Sequence, residues 1–263
     1  MIGRIWTAYT VELRKALRSA STYVGPVLVM LAVAGALVVH PVDRDGASDY
    51  GFVAYATPLA LNLLGIFMTL VFCSGLVASE LSHGTIRMVL VRPLLRREFL
   101  AAKLLLGMTY ALGLVVLVAA SAWGTAHALG DTAGVGYGGE ILYTTSQMRW
   151  AYGAGMLLSM APFAAAVSYA VFISTLTRST GPAAALSLGL WLLVEGIKHP
   201  LGIEAYVFST YLETPWRVFS GRVDLIDTAW FPEAKYCLGV SLAMALTFAF
   251  LSVYVLNRRN LNE

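Results

Sequence analysis

The sequence predicts an all-α polytopic membrane protein with six transmembrane helices, and two observations support this. Apolar residues make up 58% of the 263 residues, whereas about 45–50% is usual for a soluble domain. Uncharged apolar runs close to the ~20 residues that cross a bilayer occur six times. These runs cover residues 22–39, 52–79, 104–126, 150–176, 182–197 and 236–256. We therefore treat residues 1–263 as a single transmembrane domain.

The distribution of charge predicts which side of the membrane each loop faces. Six spans place both chain ends on one side, together with loops 80–103 and 177–181. This side carries 12 of the 18 Lys and Arg residues, and the opposite side carries 11 of the 15 Asp and Glu residues. By the positive-inside rule both termini are cytoplasmic, in a multi-pass protein of the cytoplasmic (inner) membrane.

Residues 1–20 form a predicted amphipathic helix. At about 100° per residue, an apolar face and a basic face separate on the helical wheel. The apolar face contains Ile2, Ile5, Trp6, Tyr9, Leu13, Ala16 and Leu17, and the basic face contains Arg4, Arg14, Lys15 and Arg18. This pattern favours an interfacial helix lying on the inner leaflet; a solvated basic leader with chance periodicity is the alternative.

The loop at 80–103 holds an unusual share of the charge and is predicted to contain a short helix. Thr85 is a suitable N-cap for a helix over residues 86–92, and Pro93 ends it, because the residue before proline avoids helical geometry. The next helix begins at Arg96. The short helix would expose four side chains to the cytosol: Arg87, Met88, Val91 and Arg92.

Glu80 is an acid at the C-terminal end of the second span, where it opposes the helix dipole. We therefore expect a cationic partner, either Arg14 or Arg18 on the amphipathic helix or Arg87 in its own loop. The alternative is a solvated acid at the lipid boundary.

The opposite side has three segments, which are a short acidic loop after the first span, a Gly-rich loop over 127–149 and a long segment over 198–235. The long segment is predicted to form short interfacial or partly re-entrant helices, because aromatic residues favour the membrane–water boundary. Its aromatics are Tyr206, Phe208, Tyr211, Trp216, Phe219, Trp230 and Phe231.

Several classes of function are disfavoured by what the sequence does not contain. It has no G-x-x-x-x-G-K-[ST] motif, so it does not bind ATP through a P-loop. The predicted spans have no Asp, Glu, Lys, Arg or His away from their ends, whereas the relays of secondary transporters are normally built from such residues. The cluster Glu195, Lys198 and His199 is better explained as a surface ion pair with a snorkelling lysine than as an active site. We expect no catalytic residues and no metal site, and we expect Cys73 and Cys237 to be buried free thiols.

The charged loop carries a family resemblance. The pattern E-x-x-x-G-T from Glu80 to Thr85, a short apolar and basic segment, Pro93, Arg96 and then A-K-L-L resembles the first cytoplasmic loop of ABC transporter permeases of the type 2 exporter family. The stretch P-L-L-R-R-E departs from the pattern, because such permeases often have a small residue before the arginine. The resemblance implies that residues 84–94 form a coupling helix docking on an ATP-binding subunit. The implied docking residues are Gly84, Thr85, Arg87, Met88, Val91 and Arg92, and the implied supporting residues are Glu80, Arg14, Arg18, Pro93 and Arg96.

The resemblance also implies an assembly. Two permease subunits, expected as a homodimer in membrane lipid, would pair with two ATPase subunits that bind ATP and Mg, so this chain would hold no cofactor and contact no nucleic acid. The second and fifth spans would line the route, which nominates Thr57, Asn62, Thr69 and Ser187; each could instead be a locally satisfied polar residue at a helix contact. The uncharged route favours an amphipathic, lipid-like or peptide cargo. The alternatives are a stand-alone carrier or channel, or a membrane scaffold or intramembrane enzyme without ATP coupling.

Overall fold

A computed structural model describes residues 2–42, 49–82, 95–137 and 140–258. Within these residues, six helical spans are long and apolar enough to cross a membrane, so the prediction of a multi-pass, mostly helical membrane protein is confirmed. The helices are α1 (Ile2–Arg18), α2 (Ser21–Val39), α3 (Tyr50–Pro58), α4 (Ile66–Ser82), α5 (Arg96–Leu129), α6 (Thr145–Leu176), α7 (Thr180–Ile197), α8 (Thr214–Val223) and α9 (Glu233–Arg258). The spans are α2, α3 with α4, α5, α6, α7 and α9. We call the side with both chain ends the termini side.

The second span is continuous but changes its winding. A π-helical segment, Leu59–Gly65, joins α3 to α4. It begins directly after Pro58, which has no backbone N–H and whose ring crowds the carbonyl one turn earlier. Displaced hydrogen bonds of this kind are the usual setting of a π segment, and such segments frequently mark functional sites.

Helix α6 lies at the centre of the packing and contacts the second span, α5, α7, α8 and α9. Small residues along α6 allow the neighbouring helices to pack closely against it; Ala165, Ala166 and Ala170 are fully buried. By contrast, α7 and α9 are exposed along most of their length, with Leu190 and Leu246 among the exposed side chains. The apolar exposed surface of these two helices is what a membrane span requires.

The amphipathic α1 packs on α5 through part of its predicted apolar face. Tyr9, Leu13 and Ala16 contact the hydrophobic core, and the Tyr9 hydroxyl is 2.8 Å from Thr109 Oγ1. Trp6 and Leu17 stay exposed. The helix therefore uses one stripe for packing and leaves a second apolar stripe uncovered.

The side opposite the termini contains a feature that an all-α prediction omits. Strands β1 (Gly134–Tyr137) and β2 (Glu140–Thr144) form an antiparallel hairpin within the Gly-rich loop. Gly134 has φ 155°, and a Cβ there would lie 2.9 Å from the Tyr143 carbonyl oxygen. Glycine is therefore required at the start of β1, where the two strands approach closely. The Asp131 N–H donates to the Asp49 carboxylate, and the Tyr50 hydroxyl donates to the Thr132 carbonyl, which ties this loop to the start of α3.

The long segment over 198–235 contains two short 3₁₀ turns, Glu204–Tyr206 and Phe208–Tyr211, and helix α8. Of the aromatics that the sequence predicts to favour the membrane–water boundary, three pack inside the protein. Phe208, Trp216 and Phe219 are buried, and the last two join an aromatic cluster with Tyr50, Trp123 and Tyr152. Aromatic rings bury large areas and favour tilted and edge-to-face contacts, so this cluster fixes α8 against α3, α5 and α6.

Candidate functional site

Lys103 is a buried cation near the beginning of α5. The helix starts at Arg96, where the Glu98 carboxylate accepts a hydrogen bond from the Leu95 N–H at 3.0 Å and so caps the first turn. Because the helix begins well before the apolar run at 104–126, Lys103 lies two turns inside it. Its side chain is 2% exposed.

Two carboxylates from different helices contact this lysine. Lys103 Nζ is 2.5 Å from Glu12 Oε2 in α1 and 2.6 Å from Glu80 Oε1 in α4. Lys15 Nζ is 2.7 Å from Glu12 Oε1 and 3.6 Å from Glu80 Oε1. We call Glu12, Lys15, Glu80 and Lys103 the ion cluster; its two acids and two bases balance in charge.

Burial makes this balance necessary. Removing an ion from water costs several kcal/mol, and only close opposite charges and hydrogen bonds repay that cost. Burial by itself would raise the pKa of the Glu12 carboxyl, but the Lys103 and Lys15 ammonium groups together hold the pKa below its usual value. Burial would lower the pKa of Lys15, yet its contacts with Glu12 and Glu80 raise it. The cluster therefore favours the charged forms of both α1 residues.

The ion cluster connects three helices at the termini side. Lys103 belongs to α5, Glu80 to the end of the second span, and Glu12 to α1, and the last two bond to the same ammonium group. A rigid displacement of any one of these helices would separate buried opposite charges. The three helices are therefore expected to move as one body.

The cations beside Glu80 correct the sequence expectation. Among the described residues, the ion-pair partners of Glu80 are Lys103 and Lys15, not Arg14 or Arg18, which lie exposed on α1. Arg87, the third expected partner, lies outside the described residues. Arg14 and Arg18 do not pair with Glu80 because they project from the basic face of α1, whereas Lys103 approaches Glu80 from the neighbouring helix α5. The expectation of a solvated acid is also wrong, since Glu80 is buried.

Arg96 anchors the other end of the loop. Its Nη1 donates to the carbonyl oxygens of Leu256 and Asn257, at 2.7 and 3.0 Å. These carbonyls belong to the last turn of α9, where such groups have no partner within the helix and carry the negative end of the dipole. The sixth span is thereby linked to the start of the third.

The predicted docking residues lie outside the described residues. These are Gly84, Thr85, Arg87, Met88, Val91, Arg92 and Pro93. The structure describes the residues that flank them, Ser82 at the end of α4 and Leu95 before α5. Ser82 follows Glu80 of the ion cluster by two residues, and Leu95 directly precedes Arg96.

The four proposed route residues are not gathered into one polar site. The Thr57 hydroxyl is 2.8 Å from the Tyr152 hydroxyl, and the Thr69 hydroxyl donates to the Gly65 carbonyl at 2.8 Å. Asn62 is half-buried in the π segment. The Ser187 hydroxyl is buried without a hydrogen-bond partner among the described residues. Two of the four are thus locally satisfied, as the alternative reading held.

The second and fifth spans do pack against each other within one chain. Phe67 of α4 meets Trp191 of α7 edge to face, with ring centroids 5.2 Å apart. Ser187 lies one turn before Trp191, on the same buried side of α7. The Ser187 backbone carbonyl accepts a hydrogen bond from the Tyr169 hydroxyl of α6 at 2.9 Å, so this part of α7 also contacts α6.

The cluster near Glu195 lies at the opposite end of the membrane domain. Lys198 pairs with Glu195, which also accepts a hydrogen bond from Ser209 at 2.6 Å, and His199 pairs with Glu204. The predicted ion pair is present, although Lys198 is buried rather than snorkelling to solvent. In the part of the chain that the structure describes, no group of three His, Cys, Asp or Glu residues is placed to hold a metal ion.

Sequence reasoning singles out only Glu80 of the ion cluster; it places Lys15 on the basic face of α1 and does not name Glu12, Lys15 or Lys103 as partners of Glu80. Glu12 borders the apolar face of α1, about 20° from Ile5 on the wheel, and an acid at that place is a signal for a buried partner. The sequence places Lys103 at the end of the loop over 80–103, directly before the predicted third span at 104–126. An acid on an apolar face and a lysine inside a membrane-length helix both need a buried partner of opposite charge. Together they could have predicted this ion pair.

The fold and the ion cluster define a multi-pass membrane protein whose buried charges lie near the span ends rather than at the membrane midplane. Residues 40–262 match the family described as "Protein of unknown function (DUF2705)", and the chain belongs to that family. Comparison with curated proteins finds no match.

Proposed function

We propose that this chain is the transmembrane subunit of an ATP-driven exporter of the ABC type 2 class, acting with a separate ATPase. The loop between the second and third spans, residues 84–94, is the proposed ATPase-docking segment. The orientation follows from the charge distribution, with both termini in the cytoplasm. The observation that carries the proposal is the ion cluster, which joins the helices on both sides of this loop.

The cluster supports a mechanical role for the loop. A force on residues 84–94 acts on Glu80 at one end and on Arg96 at the other. Glu80 is bonded through Lys103 to Glu12 in α1, and Arg96 is bonded to the end of α9. Coupling across a membrane protein travels through contiguous packed and bonded elements of this kind.

The assembly and cargo complete the proposal. Two copies of the chain would pair in membrane lipid, each with one ATPase that binds ATP and Mg, and this chain would be non-catalytic. The exposed apolar surface of α7 is compatible with either lipid or a second copy. The cargo class that suits uncharged spans is an amphipathic, lipid-like or peptide molecule.

Co-purification tests the proposal. The neighbouring genes are first searched for an ABC ATPase, whose absence would favour a membrane scaffold or an intramembrane enzyme. The tagged chain is then co-expressed with that ATPase, and the amount of ATPase retained per permease is measured. We expect Arg87→Glu with Arg92→Glu to abolish retention. Arg149→Glu with Lys235→Glu makes the same charge change on the opposite side and should leave retention unchanged.

Two further outcomes separate the alternatives. If the wild-type chain retains no ATPase and does not change ATP hydrolysis in vesicles, the exporter proposal fails. Solute movement by the purified chain alone in vesicles would then favour a carrier or channel, and its absence would favour a scaffold or an intramembrane enzyme.

A further inference from the structure

A groove opens on the side opposite the termini, between the start of α6, the end of α8 and the start of α9. Its volume is about 360 Å³, within the range of small-molecule sites. The lining is almost entirely apolar and includes Trp150, Leu158, Trp230 and Phe231. Trp150 and Phe231 are 70% and 74% exposed, so the groove is open at the protein surface.

One end of the groove carries a positive charge that is held in place. Arg222 lines the groove, its Nη1 donates to the Gln147 carbonyl at 2.8 Å, and its guanidinium lies 5.3 Å from the centre of the Tyr143 ring. Among the described residues, no carboxylate forms an ion pair with Arg222. A guanidinium has five N–H donors, so donors remain for an anionic ligand.

The dimensions of the groove match the outer part of a lipid molecule. Gln147 and Leu158, which both line it, are eleven residues apart on α6, about 16 Å along the helix axis. A headgroup layer is roughly 5–8 Å thick, so this length covers one such layer and several ångströms of adjoining hydrocarbon. Helix α6 has 32 residues, about 48 Å, and therefore extends beyond a ~30 Å bilayer core.

We infer that this groove binds one anionic phospholipid of the leaflet opposite the termini, with its phosphate at Arg222 and an acyl chain against Trp150, Trp230 and Leu158. Apolar lining along one length and an arginine fixed at one end are complementary to an apolar chain with an anionic head. Arginine also suits phosphate geometry, because its planar fork donates two parallel hydrogen bonds. This site is independent of the proposed ATPase docking.

Tryptophan quenching by brominated lipid tests the inference on the full chain. The protein is reconstituted in phosphatidylcholine vesicles that contain equal mole fractions of either dibrominated phosphatidylglycerol or dibrominated phosphatidylcholine. We expect the quenching of Trp150 and Trp230 to show about a fivefold preference for phosphatidylglycerol, from the attraction of one arginine for an anionic lipid. Trp150→Phe with Trp230→Phe should remove that component and leave quenching of the other tryptophans.

Matched charge variants decide whether the groove is the source of the preference. Arg222→Gln should abolish it, whereas Arg149→Gln, which removes an exposed arginine of α6 outside the groove, should preserve it. Equal quenching by both lipids in the wild type, or equal loss in both variants, overturns the inference. Millimolar glycerol 3-phosphate should not relieve the quenching; if it does, the site recognises a free phosphate rather than a lipid.

Discussion

Replacing Lys103 by methionine removes the cation that two buried carboxylates share. Methionine keeps most of the volume, so the change isolates charge from packing. Glu12 and Glu80 would then lose Lys103, which is 2.5 and 2.6 Å from them, and keep only the half-exposed Lys15, 2.7 and 3.6 Å away. Breaking a buried pair by removing one partner costs about 3–5 kcal/mol, which corresponds to a fall of roughly 6–20 °C in melting temperature for a chain of this size.

The buried thiols Cys73 and Cys237 provide the assay. A thiol-reactive dye in detergent solution reports the temperature at which they become accessible. Lys15→Met is the matched control; its side chain is 55% exposed, so it should cost about 0–1 kcal/mol. The triple variant that adds Glu12→Gln and Glu80→Gln to Lys103→Met should recover most of the loss, because no buried charge is left. A Lys103→Met protein that melts within about 2 °C of the control would refute this reasoning.

Three other predictions concern the same packing. Gly107→Ala should lower the melting temperature, because a Cβ would lie 2.6 Å from Val167 Cγ1, whereas Gly113→Ala, with no atom within 4 Å, should not; equal melting temperatures would contradict the packing. Arg96→Gln should increase amide hydrogen exchange in the last turn of α9, since it removes two hydrogen bonds, and Arg97→Gln, an exposed neighbour, should not; unchanged exchange would count against the anchor. The Glu12 carboxyl has a lowered pKa, so its stabilisation of α1 is present above 4.5 and is lost as pH falls through the lowered value. Proteolysis of α1 should therefore rise only below pH 4.5. Cleavage of α1 that already increases between pH 5 and 7 would contradict this role of Glu12.

The membrane spans could be predicted from the sequence because their signal is local. A run of about 20 apolar residues can satisfy its backbone in lipid only as a helix, and no tertiary knowledge is needed to find it. The ends of a helix need other signals than the apolar run. The third apolar run covers 104–126, whereas the helix is predicted to begin at Arg96, and α5 does run from Arg96 to Leu129, because capping by Glu98 sets where it begins.

The ion cluster could be anticipated only in part, since its contacts join distant parts of the chain. Glu80 was recognised as an acid in need of a cation from the helix dipole, which is a local argument. The cation that pairs with Glu80 depends on how α1 and α5 pack beside α4. The helical wheel of α1 alone cannot show this packing, and it favours Arg14 and Arg18. The sequence analysis does not predict the hairpin in the Gly-rich loop; the structure ties the residues just before it to Asp49 and Tyr50, about 80 residues away in the sequence.

The position of the cluster also limits how the termini side can respond to a force on the loop. Lys103 is bonded to α1 and to the second span at once, so neither can shift alone without exposing a buried charge. If the proposed function holds, a change in the spans is expected where the winding is irregular, and the π segment after Pro58 is such a place. Under the proposed function, motion that begins at the loop would pass through α4 as a rigid unit and be absorbed at Leu59–Gly65, which lies 15–21 residues before Glu80 in the sequence.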